Sequence, residues 1–136
     1  MSSIKVVIDT NVLLKTLNRN NFEFFIYNSF IEQKFDWIVS NEILIEYEEV
    51  LTSFYSVKTS NLVLEILCNA NNVIFSEPYF QWDIIKIDPD DNKFSDLAIS
   101  ANANYLITFD KHFDVFKEAE FPKLEVLSPS QFFKVL

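Results

Sequence analysis

Along the chain, short apolar runs alternate with segments whose apolar residues recur every three or four positions. Ile4–Ile8 is apolar except for Lys5, so it reads as a strand buried on both faces, the usual case in a parallel sheet. Val12–Leu17 follows as a short helix. Asn21 is placed to cap a second helix over Phe22–Gln33, with Phe22, Phe25, Ile26 and Phe30 on one stripe. Phe35–Val39 is a second strand, and Ser40 or Asn41 caps a helix over Glu42–Phe54. Its stripe is Ile43, Tyr47, Val50, Leu51 and Phe54. A further helix covers Lys58–Asn69, and Val73–Phe75 is a third strand. Glu77–Ile87, with Pro78 and Trp82, has no regular period.

A helix then starts at Asp90 or Asp91 and runs to Ala103 with Phe94, Leu97, Ala98 and Ala101 inward. Tyr105–Phe109 is the fourth strand, Leu124–Leu127 an edge strand, and Ser128 with Pro129 opens a last short helix. This alternation predicts a three-layer α/β/α fold with a mainly parallel central sheet, as one domain over residues 1–136.

Composition narrows the chemistry. A net charge of −9 argues against a broad basic face gripping nucleic acid, but not against an enzyme that touches a phosphodiester locally. One Cys and one His exclude disulfides and a Cys/His zinc site, and Cys68 is expected as a buried small hydrophobe. With no glycine, neither the dinucleotide fingerprint nor a P-loop can be built. Turns needing positive φ are expected to fall to Asn20-Asn21, Asn71-Asn72 and Asn104. The N-terminus enters a strand almost at once, and no apolar run approaches the ~20 residues that span a membrane. A cytoplasmic chain without a leader or membrane contact is expected.

Two apolar strands stop on acids: Ile8 precedes Asp9-Thr10-Asn11, and Thr108-Phe109 precedes Asp110. Ligands of parallel α/β sheets bind beyond the carboxyl ends of the strands. Asp91 falls within about 60° of Phe94 on the helical wheel and can look toward that edge, whereas Asp96, about 160° away, is expected in solvent. Glu46 and Glu48 lie on opposite borders of their stripe, and the wheel does not choose between them. Converging carboxylates repel and need a cation or raised pKa values, and an all-oxygen site suits Mg²⁺ or Mn²⁺. Thr10, Asn11 and Thr108 are placed to orient ligands or a water. Each acid also has a plainer role: Asp9 as a helix cap, Asp88–Asp91 as a solvated turn, Glu46 as a border residue and Asp110 as a turn cap. His112 is expected to be a surface or capping residue, and the lysines form no cluster along the sequence.

The stretches Val7-Ile8-Asp9-Thr10-Asn11-Val12-Leu13, Ser40-Asn41-Glu42-Ile43-Leu44-Ile45-Glu46-Tyr47, Asp88-Pro89-Asp90-Asp91-Asn92-Lys93-Phe94 and Tyr105-Leu106-Ile107-Thr108-Phe109-Asp110-Lys111-His112-Phe113 resemble the PIN-domain family. The nearest branch is that of toxin components of bacterial toxin–antitoxin pairs. The resemblance implies a Mg²⁺- or Mn²⁺-dependent endoribonuclease, with catalytic and metal-binding roles for Asp9, Glu46, Asp91 and Asp110. It selects Glu46 over Glu48, and it brings an RNA substrate, an antitoxin partner and a homodimer as expectations. The family often has Gly before its last strand and within the Thr-x-Asp turn, where this chain has Asn104 and Phe109. Asp88, Asp96 and Asp114 stand close enough in sequence to share the site. Two other classes compete. One is a catalytically silent PIN-like binding domain. The other is a phospho-acceptor domain, opposed by the lack of an acid beside Asp9 and of a Lys after Leu124–Leu127.

Overall fold

A computed structural model of the chain describes residues 4–86, 88–117 and 121–136. Five strands, β1 (Ile4–Ile8), β2 (Phe35–Val39), β3 (Val73–Phe75), β4 (Tyr105–Ile107) and β5 (Val126–Leu127), form one sheet in the order β3-β2-β1-β4-β5. Every pairing is parallel, with Val6 opposite both Trp37 and Tyr105. Val6, Val7 and Ile8 are successive residues, so they point to alternate faces, and all three are fully buried. Only helices on both faces achieve that, which gives the three layers. The helices are α1 (Thr10–Thr16), α2 (Phe24–Ile31), α3 (Asn41–Phe54), α4 (Val57–Asn69), α5 (Asn92–Ser100) and α6 (Pro129–Val135), with 3₁₀ turns at Pro89–Asp91 and Lys111–Lys117.

Local chemistry sets several boundaries. Ser40 caps α3 by accepting the Ile43 N–H, and Ser128 with Gln131 forms a capping box at α6 behind Pro129. The chain leaves β1 toward β2 and β3, then returns to β4 on the other side of β1. This reversal opens a crevice at the carboxyl ends of β1 and β4, the place where such sheets bind ligands.

Several expectations fail for identifiable reasons. Asn21 does not cap α2; Glu23 takes that position without a side-chain bond, and the Asn21 amide donates to the Lys15 carbonyl. Phe22 falls outside the helix and is half exposed. Val50 is only partly buried, and Phe54, in the last turn of α3, is exposed and packs edge-on against Tyr55 rather than on the core. Cys68 is exposed: it follows buried Leu67 by one residue, which turns it about 100° off the stripe.

Positive φ falls on Gln33 (58°), Asp83 (50°) and Asn102 (55°), not on the asparagines named above. Asn21, Asn72 and Asn104 bond through their side chains instead. Buried Asn72 donates to the carbonyls of Phe30 and Phe35, and Asn104 accepts the Lys5 N–H. Asn102 ends α5 three residues early, and β4 stops at Ile107, two residues short of Phe109. Asp96 is buried at 4% exposure, because the irregular segment folds over α5 and the Trp82 N–H bonds to its carboxylate. Ile87, at the end of that irregular stretch, lies outside the described residues. No described helix is long and apolar enough to cross a membrane.

Candidate active site

Asp9 follows β1 directly and stands at the N-cap position of α1, yet its side chain makes no capping bond. Its carboxylate instead accepts from the Thr108 hydroxyl, Oγ1 to Oδ2 at 2.7 Å, across the β1–β4 crevice. The same Thr108 oxygen accepts the Asp110 N–H at 2.9 Å, so one hydroxyl sets both acids. Thr108 is itself held by donating its backbone N–H to Leu127 on β5.

Glu46 comes from α3. The Thr10 hydroxyl donates to its Oε2, and Lys93 of α5 donates to its Oε1 at 2.5 Å. The position of α3 is fixed one residue further on. Tyr47 is fully buried, donates to the Ile8 carbonyl at 2.5 Å and accepts from the Trp37 indole. Asp91 ends the 3₁₀ turn before α5. Asp88 accepts the Asp90 N–H there, the plain turn role foreseen for it. Behind this turn, the Asn92 side-chain amide takes both the N–H and the carbonyl of Ile85 at 2.9 Å, which ties the incoming segment to α5.

His112 joins the remaining acids. Its Nδ1 lies 3.1 Å from Asp91 Oδ2 and 3.3 Å from Asp110 Oδ1, and its backbone N–H bonds Asp110 Oδ1 at 2.8 Å. Asp88, Asp91 and His112 each offer a ligand atom within 4.8 Å of the others.

The electrostatics follow from burial. Asp9, 5% exposed, has its pKa pushed up to about 6 by desolvation. The Thr108 hydrogen bond opposes that rise, and the charges of Asp91 and Glu46 add to it. Asp91 is also raised, first by desolvation, while its bond to His112 pulls the other way. His112 is raised chiefly by its hydrogen bond to Asp91, so it favours the imidazolium.

The crevice thus gathers Asp9, Glu46, Asp91 and Asp110, with Thr10 and Thr108 as orienting hydroxyls. Asn11 is exposed, and no hydrogen bond ties it to these acids among the described residues. Asp96 faces the Trp82 segment, and exposed Asp114 pairs with Lys117 at 3.1 Å. Sequence reasoning missed His112 and Lys93. The Asp110-Lys111-His112 spacing carried the signal for the first, because an Asp accepting the N–H two residues on folds that residue back toward itself. Lys93 had no such signal, since its partner is 47 residues away.

A buried carboxylate whose charge is disfavoured, beside three more acids, offers oxygen donors of the kind a hard divalent cation takes. The residues present fit such an ion. They define an α/β protein with an acidic pocket at the reversal point of a parallel sheet.

The chain belongs to the PIN domain family, whose model matches residues 5–112 and so spans all four acids. No curated protein matches it. Among solved structures, its fold is similar to that of a chain in VapBC2 from Rickettsia felis bound to a DNA fragment from their promoter. That match has 16% identity, covers 92% of this chain and 98% of the other, and has a TM-score of 0.64. A chain of VapBC-1 from nontypeable Haemophilus influenzae is similar at 17% identity, 93% and 99% coverage and a TM-score of 0.63. A chain of FitAcB from Neisseria gonorrhoeae gives 16%, 92% and 98%, and 0.57.

Proposed function

We propose that the chain is a Mg²⁺- or Mn²⁺-dependent endoribonuclease, acting as the toxin component of a toxin–antitoxin pair. The observation that carries the reading is the continuous set of bonds at the crevice: Thr108 links Asp9 to Asp110, and His112 links Asp110 to Asp91. Glu46 joins from α3 through Thr10, the residue after Asp9. Asp9, Asp91 and Asp110 would hold the ion, with Glu46 completing the set once Lys93 yields its oxygen. A divalent ion supplies water activation and neutralises the charge that grows on a phosphodiester during in-line attack.

The chain's own groups do the rest. Thr108 keeps the Asp9 carboxylate turned into the crevice. Burial and its acidic neighbours disfavour the charge of Asp9 on its own, so a cation seated there would favour the carboxylate that holds it. Lys93, 12% exposed at its side chain, places an ammonium at the pocket where anionic RNA would lie. An antitoxin partner is supported by the likeness to VapBC and FitAcB chains. A homodimer rests on the same family resemblance.

One observation favours a second reading, a catalytically silent PIN-like binding domain. Lys93 and His112 already pair with Glu46, Asp91 and Asp110, so the pocket is partly neutralised from within. RNA cleavage by the purified protein in Mn²⁺, stopped by EDTA and by Asp9→Asn, is the expected outcome. RNA binding without cleavage, indifferent to EDTA, would establish the silent domain instead.

A further inference from the structure

Phe109 stands between Thr108 and Asp110 and is 43% exposed. A single exposed phenylalanine is ordinary on a protein surface; this one lines a cavity with Thr108 and Asp110 of the acidic site. The bond from the Asp110 N–H to the Thr108 hydroxyl closes the turn around it. Lys15, reaching from α1, holds its ammonium 4.9 Å from the ring centroid. The cavity, of about 260 Å³, is also lined by Lys111, Lys117, Ser128 and Gln131. In a chain of net charge −9, Lys15 thus lies over the ring and Lys111 shares its cavity, whose other charged residues are Asp110 and the Lys117–Asp114 pair.

We infer that Phe109 is a stacking platform for an unpaired base next to the cleaved phosphodiester, with Lys15 and Lys111 meeting the flanking phosphates. The inference rests on the nuclease reading and adds to it a residue that positions the strand. An aromatic face accepts any base, so it confers little sequence choice, and it needs a base free of a duplex to stack on it. Lysines on either side of such a ring supply the charge that tracks the backbone.

The test uses a short single-stranded RNA carrying 2-aminopurine, titrated in Mn²⁺ into Asp9→Asn protein so that the strand stays intact. Fluorescence quenching on binding is expected, with affinity about 10-fold weaker or worse when Phe109→Ala is added. Phe109→Trp should retain the affinity and the quench, and the same sequence as a duplex should bind more weakly. In the otherwise wild-type protein, Phe109→Ala should raise KM more than it lowers kcat. Unchanged affinity and KM in a folded Phe109→Ala protein would overturn the stacking role while leaving the nuclease intact. Absence of both RNA binding and cleavage by the wild-type protein would overturn the two together.

Discussion

Tyr47 donates its phenolic proton to the carbonyl of Ile8 at 2.5 Å, pinning α3 to the end of β1 beside two acids. Asp9 is the next residue along one element and Glu46 the preceding residue along the other. Fold and site are therefore coupled at a single buried hydroxyl. Tyr47→Phe leaves the Ile8 carbonyl without this partner and the Trp37 indole without its acceptor. A loss of about 1–3 kcal/mol is expected, measured by denaturant melts, together with weaker cleavage as Glu46 loses its register. Full stability in the variant would show that α3 is held by packing alone.

Asp9 gives the protein a pH dependence whose sign is fixed. Its carboxyl titrates near pH 6 in the folded protein, against about 3.9 in an unfolded chain. Between those values the folded state holds the extra proton, so stability falls as pH rises through the window, and the penalty is complete above about pH 6. The two-unit difference corresponds to about 3 kcal/mol at most. Asp9→Asn in EDTA should therefore melt at a higher temperature than the wild-type protein at pH 8, with the gap closing toward pH 4. A gap that ignores pH would mean that burial of this charge is not the cause.

Asp96 separates burial from function. It is as buried as Asp9, but its carboxylate is spent on the Trp82 N–H. Asp96→Asn keeps an acceptor oxygen for that bond, so cleavage should persist at close to the wild-type rate, whereas Asp91→Asn should remove it. Loss of cleavage in a folded Asp96→Asn protein would place Asp96 in the site.

The strands and most helices were legible because their signals are local. The Phe35–Val39 strand, the Ser40 cap and the Ser128-Pro129 start all rest on residues within a few positions of one another. Asp9 and Asp110 were legible for a similar reason, each standing at or just beyond the end of an apolar run in a parallel sheet. What failed depends on segments meeting across the chain. Asp96 was placed in solvent because its own helix says so, and only the fold-back of Trp82 buries it. Two of the asparagines expected at left-handed turns do long-range work instead: Asn72 spans 42 residues to Phe30, and Asn104 spans 99 to Lys5. Lys93 belongs to the same class, a cation whose acid comes from another element, and so does the bond of His112 to Asp91.

The Asn92 clamp on Ile85 should matter to the site although it touches no acid of it. Asn92→Ala frees both backbone groups of Ile85 just ahead of Asp88–Asp91. Hydrogen exchange over this segment should quicken, and cleavage should fall with it. Unchanged exchange at Ile85 would show that the segment is held from elsewhere.

The central claim is that the acids around the β1–β4 crevice work as one divalent-ion site that cuts RNA. Its most direct test is the initial cleavage rate of a mixed panel of single-stranded and structured RNAs in Mn²⁺, for the wild-type protein and for Asp110→Asn, with thermal melts showing both folded. Cleavage by the wild-type protein is expected, with its loss in EDTA and a fall of at least about 100-fold in the variant. Equal rates in the two folded proteins would contradict the claim.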